Sequence, residues 1–97
     1  MDEHFELNGI AFVWDSAKAR SNRSKHRVAF EQAAEAFFDP FLRVVDADPE
    51  NEGREAIIGM DERWNLLFVV HLEQEGERFR IISARRATPV ERNIYET

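Results

Sequence analysis

The segment from Leu66 to Leu72 is apolar at nearly every position, and it constrains the fold more than any other part of the sequence. Such a run is typical of a strand at the centre of a sheet, because both faces of a central strand are covered. Its longest unbroken stretch, Leu66 to Val70, is far too short to cross a bilayer. A chain of 97 residues has room for one small core. We therefore expect a single domain over residues 1–97, built around this strand.

Five strands are predicted in all, from runs of apolar and β-branched residues bounded by turn residues. They cover Ile10–Trp14, Phe41–Ala47, Glu55–Met60, Leu66–Glu73 and Arg78–Arg85. The joins at 49–53, 61–65 and 75–77 have compositions that favour turns. The last four strands are therefore predicted to form an antiparallel meander.

Three helices are predicted from apolar spacing and from capping residues. Asp15 is a suitable N-cap for a first helix over Ser16–His26. The second helix follows from the spacing i, i+3, i+4, i+7, i+8 and ends at Asp39-Pro40; its apolar residues are Phe30, Ala33, Ala34, Phe37 and Phe38. Thr88-Pro89-Val90-Glu91 forms a capping box that opens a third. The predicted order is β-α-α-β-β-β-β-α, an α+β fold with its helices packed on one face of a mostly antiparallel sheet.

The net charge is −6, from 19 acidic and 13 basic residues, whereas a nucleic-acid-binding protein is usually basic. The basic residues are nevertheless gathered in two blocks. Residues 18–27 contain no acid, and residues 78–92 contain only Glu91. If the fold brings the two blocks together, they form a single positive patch.

Several classes of site are excluded by composition and spacing. The absence of cysteine excludes disulfides and thiolate metal sites. His4, His26 and His71 share no metal-ligand spacing, so we expect no metal ion and no cofactor. His71 lies in the apolar strand and is expected to be a core residue. The first residues are acidic and polar, unlike a signal peptide, so we expect a cytoplasmic protein.

Four polar residues share one face of the first helix, at i, i+4, i+7 and i+8. They are Lys18, Asn22, Lys25 and His26. Together they offer cations for phosphate, an amide and, in His26, a group that exchanges protons near neutral pH. The alternative is that these cations complement the helix dipole on a solvated surface.

The last strand ends in two arginines, Arg85 and Arg86, whose planar guanidinium groups suit bidentate contacts with phosphate. Strict alternation places Arg78, Arg80, Ile82, Ala84 and Arg86 on one face and Phe79, Ile81, Ser83 and Arg85 on the other. The alternative is a set of surface salt bridges to nearby acids, which we favour for Arg78 and Arg80.

Two segments together resemble the BrnT family of ribonuclease toxins from type II toxin–antitoxin systems. The first contains Phe12-Val13-Trp14-Asp15, Lys18, Asn22, Lys25-His26, Phe30-Glu31-Gln32-Ala33-Ala34 and Phe38-Asp39-Pro40. The second contains Arg80-Ile81-Ile82-Ser83-Ala84-Arg85-Arg86-Ala87, Glu91-Arg92 and Tyr95. The resemblance implies a RelE-like ribonuclease fold, RNA cleavage that halts translation, and a BrnA-type ribbon-helix-helix antitoxin that alone would link the toxin to DNA.

The matching residues define a candidate site without a metal ion. We assign His26, Lys25, Arg85 and Arg86 to catalysis and Lys18, Asn22 and Arg80 to RNA binding. This site requires the first helix and the last strand to meet in one groove. The chain departs from the family at Arg27, where glycine is common, and at Met60 and Gln74, near which the family tends to carry arginine. A catalytically weak or inactive module that only binds its antitoxin is therefore the alternative to an active endoribonuclease.

Overall fold

The computed structural model describes residues 1–47 and 53–97. Its elements follow the order β-β-α-α-β-β-β-β-α, with one strand more than predicted. They are β1 (Asp2–Leu7), β2 (Ile10–Asp15), α1 (Ser16–His26), α2 (Phe30–Ala36), β3 (Arg43–Asp46), β4 (Arg54–Met60), β5 (Leu66–Gln74), β6 (Arg78–Arg86) and α3 (Pro89–Glu96). The turn predicted at 49–53 lies outside the described residues, except for Gly53.

The six strands form one sheet in the order β1-β2-β6-β5-β4-β3. Strand β2 pairs with β6 in parallel, and every other neighbouring pair is antiparallel. The apolar strand β5 lies in the interior of the sheet between β6 and β4, which confirms its prediction as a central strand. The sheet is therefore mostly antiparallel, as expected for the α+β class.

Strand β1 is the element that the predicted order lacked. It pairs with β2 through a turn at Asn8 and Gly9, whose φ angles are 50° and 80°. Both angles are positive, as a type I′ hairpin turn requires, and Asn-Gly is a dipeptide strongly preferred in that turn. The strand lies at the edge of the sheet and packs Phe5 against Trp14, with ring centroids 5.8 Å apart.

Helices α1 and α2 cover one face of the sheet. Asp15 caps α1 as predicted, because its carboxylate accepts a hydrogen bond from the Lys18 backbone at 3.0 Å. Helix α2 buries Phe30, Ala33, Ala34 and Ala36. These side chains form the core with residues of the sheet: Phe12, Trp14, Ile57, Leu67, Val69, Ile81 and Ala84. The second helix is shorter than predicted and ends at Ala36.

Helix α3 lies on the opposite face, so the prediction that all helices share one face is wrong. Val69 and Ala84 pair across β5 and β6 and belong to the core beneath α2. Their neighbours Phe68 and Arg85 point the other way, because side chains alternate along a strand. Arg85 is bound there by Glu91 of α3. Within residues 1–47 and 53–97, no helix has the length and apolar character needed to span a membrane.

A β-bulge at Ile82 changes which residues of β6 share a face. Val70 pairs with Ser83, whereas the next residue of β5, His71, pairs with Ile81, so Ile82 is the extra residue. An extra residue shifts the alternation by one position. Ile81 and Ala84 consequently both face the core. The strict alternation predicted along this strand is therefore wrong across the bulge, and Arg86 does not share a face with Arg80.

Candidate functional site

Asn22 joins α1 to the last strand. Its side-chain amide donates to the Ala84 carbonyl at 2.9 Å and accepts from the Ala84 N–H at 3.0 Å. It also donates to the Val28 carbonyl at 2.9 Å. Strand β2 pairs with β6 only at residues 78–80, so Asn22 satisfies backbone groups of β6 beyond that pairing. The side chain is 6% exposed. This burial does not agree with a direct RNA contact by Asn22 and gives it a structural role.

Because of this contact, the end of α1 and the end of β6 meet at one groove. Its volume is about 440 Å³, and it combines cationic, acidic and amide side chains. Its lining residues are Arg27, Ala29, Glu31, Gln32, Glu35, Arg63, Asn65 and Arg86. Arg27 directly follows α1 and adopts the left-handed conformation with φ 59°. Arg63 and Asn65 belong to the turn between β4 and β5, and neither is among the residues that the sequence predicts for the site.

Arg86 reaches this groove because it is two residues beyond Ala84 and so points to the same face of the sheet. Its guanidinium donates to the Asn65 side-chain oxygen at 2.8 Å. In the described part of the chain, no carboxylate lies within ion-pairing distance of Arg27, Arg63 or Arg86. The three cations therefore keep their charge available to an anion, although Glu31 and Glu35 line the same groove.

The turn that carries Arg63 and Asn65 is held by Asp61. Its carboxylate accepts hydrogen bonds from Gln32 of α2 at 2.6 Å and from the Asn65 side chain at 2.8 Å. It also accepts from the backbone N–H groups of Arg63 and Asn65. Burial alone would raise the pKa of Asp61, but the hydrogen bonds from Asn65 and Gln32 outweigh it and lower that pKa below its usual value.

The other two arginines of the predicted site are paired with acids. Arg85 forms two hydrogen bonds of 2.8 Å with Glu91 and lies 4.5 Å from the Phe68 ring centroid. The hydrogen bond to Glu91 raises the pKa of Arg85. Arg80 is bound by Asp2 of the edge strand. Arg80 and Arg85 each directly adjoin a core-facing residue, Ile81 and Ala84, so both point to the opposite face, away from the groove. A neighbouring carboxylate neutralises each of them.

The three remaining predicted residues lie on α1. Lys18 and Lys25 are exposed and His26 is partly exposed. His26 directly precedes Arg27, so it lies beside the end of the groove, although it does not line it. The first helix and the last strand were predicted to meet in one groove. The structure brings the end of α1 and Arg86 together there, whereas Arg85 lies on the other face of the sheet.

The other two histidines lie elsewhere. His71 is 3% exposed between Phe37 and Phe79, and its burial lowers its pKa. Its prediction as a core residue is confirmed. His4 is exposed on β1. Among residues 1–47 and 53–97, no group of three His, Cys, Asp or Glu side chains has the geometry to hold a metal ion.

Comparison with known proteins points to one family. The family model described as "Ribonuclease toxin, BrnT, of type II toxin-antitoxin system" matches residues 14–91. The crystal structure of the Brucella abortus ribonuclease toxin BrnT superposes with a TM-score of 0.56 at 25% sequence identity, covering 77% of this chain and 92% of that one. No curated protein sequence gives a significant match.

Proposed function

The chain belongs to the BrnT family of ribonuclease toxins from type II toxin–antitoxin systems, and on this premise we propose that it is a metal-independent endoribonuclease that cleaves RNA and thereby halts translation. One observation supports this proposal above the others. Arg27, Arg63 and Arg86 line one groove without an acidic partner in the described chain. Phosphodiester cleavage concentrates negative charge on the phosphate oxygens, and fixed cations at that position stabilise the transition state.

The proposed reaction uses the ribose of the substrate as the nucleophile. The 2′-oxygen attacks the neighbouring phosphorus, the bond to the 5′-oxygen breaks, and a 2′,3′-cyclic phosphate and a 5′-hydroxyl are formed. Arg86 stabilises the charge on the phosphate. His26 is the acid–base group: its imidazole accepts the proton of the 2′-hydroxyl as the 2′-oxygen attacks, and a proton is then donated from the ring to the leaving 5′-oxygen. Lys25 assists it, and Lys18 attracts the RNA backbone.

We leave Arg80, Arg85 and Asn22 out of the chemical site. Asp2 neutralises Arg80 and Glu91 neutralises Arg85. Both amide N–H groups of Asn22 and its amide oxygen are hydrogen-bonded to backbone groups within the protein. Their contribution to the reaction is to hold the sheet, α3 and α1 in position.

The reaction is tested by incubating purified protein with single-stranded RNA in the presence of EDTA. We expect cleavage products with cyclic phosphate ends, and we expect Arg86→Ala and His26→Ala to lose most of the activity. Arg92→Ala and His4→Ala are the matched controls, since both side chains are exposed outside the groove. Full activity in both Arg86→Ala and His26→Ala, or a requirement for a metal ion, contradicts the assignment.

We further propose that the chain acts as one RelE-like domain in the cytoplasm and is neutralised by a BrnA-type ribbon-helix-helix antitoxin. Trp64 is 82% exposed and Phe38 is 36% exposed beside Glu35 and Glu62. Exposed tryptophan is typical of strong protein contacts, and a basic partner would complement these carboxylates. Addition of a BrnA-type protein encoded beside the gene should stop RNA cleavage. Trp64→Ala should weaken that inhibition.

A second function has its own support. The net charge of −6 and the neutralised Arg80 and Arg85 favour a weak or inactive toxin whose task is to bind its antitoxin. Such a protein would bind the antitoxin tightly and cleave no RNA. The two functions are therefore separated by the same pair of measurements, RNA cleavage and antitoxin binding.

A further inference from the structure

We propose that the turn between β4 and β5 positions Arg86 for its contact with phosphate, with Asp61 holding Asn65 and Asn65 holding the guanidinium. This inference rests on the proposed function, since Arg86 needs positioning only if it meets a substrate phosphate. Neither Asp61 nor Asn65 touches the substrate phosphate in this proposal. Both are positioning residues that act through Arg86.

Asp61 is the fixed point of the turn. It is 5% exposed, and its carboxylate accepts from two backbone N–H groups and two side-chain amides. One of those amides belongs to Gln32, so the turn is tied to α2 at a distance of 2.6 Å. A buried carboxylate with all its acceptor sites used has little freedom to move.

The orientation of Asn65 follows from that fixed point. Its amide nitrogen donates to Asp61 at 2.8 Å, which leaves its amide oxygen to face Arg86 at 2.8 Å. A flipped amide would place its NH₂ group against the guanidinium and its oxygen against the carboxylate, and both contacts would be lost. Asp61 therefore determines which atom Asn65 presents to Arg86.

A neutral acceptor suits this task better than a carboxylate. The amide oxygen of Asn65 uses one N–H group of Arg86 and leaves the positive charge uncompensated. The remaining N–H groups of the guanidinium can then make bidentate contacts with a phosphate. In Arg85 the carboxylate of Glu91 occupies both terminal nitrogens. The choice of asparagine at position 65 thus keeps Arg86 both oriented and charged.

The turn also contains a strained residue that these bonds hold in place. Trp64 has a φ of 66°, in the left-handed region that non-glycine residues rarely adopt. Asp61 and Asn65 close the turn with a backbone hydrogen bond of 3.0 Å from the Asp61 N–H to the Asn65 carbonyl. A loop held in one strained geometry presents its side chains with little conformational loss on binding.

The kinetic test is a double-mutant cycle with a single-stranded RNA oligonucleotide as the probe. We expect Asn65→Ala to lower kcat about 10-fold with a smaller change in KM, because a misplaced cation stabilises the transition state less. In the Arg86→Ala background, the same change should alter the rate by less than about twofold. Asn93→Ala is the matched control, as Asn93 is exposed on α3. An equal loss in both backgrounds, or no loss in the wild-type background, overturns the proposal.

A second measurement does not depend on RNA cleavage. The ¹⁵N relaxation of the Arg86 Nε group should report a rigid side chain in the wild-type and Asn93→Ala proteins and a mobile one in Asn65→Ala. If the wild-type protein cleaves no RNA, the proposed function fails, and loosening of Arg86 in Asn65→Ala still supports the positioning contact. If Arg86 is as mobile as the exposed Arg92 in the wild-type protein, the positioning contact is overturned whatever the activity.

Discussion

Arg85 and Arg86 are neighbours in β6, yet their guanidinium groups lie on opposite faces of the sheet and meet different partners. On the α3 face, Arg85 is bound by the carboxylate of Glu91 and rests on Phe68. On the groove face, Arg86 donates to the neutral amide oxygen of Asn65, and no carboxylate of residues 1–47 and 53–97 pairs with it. The first arginine stabilises the packing of a helix, while the second keeps its charge. The available charge of an arginine thus depends on the acid within its reach and not on its place in a motif.

The largest expected effect separates these two arginines by activity. Arg86→Ala should lower the rate of RNA cleavage about 100-fold to 1,000-fold, since one fixed donor to the transition state is removed. Arg85→Ala should change the rate far less and should instead lower the free energy of unfolding by about 1 kcal/mol. Both are measured by RNA cleavage and urea unfolding. If Arg85→Ala loses as much activity as Arg86→Ala while it remains folded, the two arginines do not have the different roles proposed for them.

The next effect concerns Asn22, whose hydrogen bonds hold α1 against β6 beside the groove. Asn22→Ala should lower the free energy of unfolding by about 2–4 kcal/mol, because it leaves the N–H and carbonyl of Ala84 and the carbonyl of Val28 without partners. Urea unfolding followed by circular dichroism measures this loss. Asn93→Ala serves as the control on an exposed position. A loss below about 0.5 kcal/mol would mean that water replaces the amide.

A smaller effect is expected on the α3 face, and it depends on pH. The hydrogen bond from Arg85 lowers the pKa of Glu91 below its ordinary value of 4.5. The carboxylate therefore contributes stability above pH 4.5, and this contribution is lost as the pH falls through the lowered pKa. Glu91→Gln should reduce the free energy of unfolding by about 0.5–1 kcal/mol at pH 7. The difference from wild type should shrink towards pH 3, and a constant difference across this range would contradict the ion pair.

The smallest effect is a gain in stability on the groove face. Arg27 adopts φ 59° at the end of α1, a conformation that glycine adopts without the steric penalty of a side chain. Arg27→Gly should raise the free energy of unfolding by about 0.5–1 kcal/mol. It should also weaken RNA binding, because a groove cation is removed. Thermal unfolding measures the gain in stability, and RNA binding at low salt measures the loss of affinity. Unchanged RNA binding would show that Arg27 does not contact the RNA in the groove.

Local sequence patterns predicted the elements well where each pattern had one physical cause. Asp15, recognised as an N-cap, predicted α1 over Ser16–His26, and the structure has the same bounds. The edge strand β1 was missed because its charged residues hide the alternation of Phe5 and Leu7. The Asn8-Gly9 dipeptide was the signal that could have identified the hairpin.

The arrangement of the site could not be obtained from local patterns. The bulge at Ile82 is set by pairing with β5, and it separates the face of Arg86 from that of Arg80. The neutralisation of Arg80 depends on Asp2, which is 78 residues away in the sequence. The contact between Arg86 and Asn65 likewise requires the sheet to bring a turn and a strand end together. These contacts are tertiary, so spacing along the chain carries no information about them.

The parallel pairing of β2 with β6 has a consequence for the order of events during synthesis. Loop closure over a long chain segment is entropically unfavourable, so we expect this pairing to form after the local hairpins. The bond between Asn22 and Ala84 spans 62 residues. During translation, the groove that contains Arg86 can therefore be completed only after β6 has been synthesised. A partial translation product that contains only the earlier strands lacks this groove.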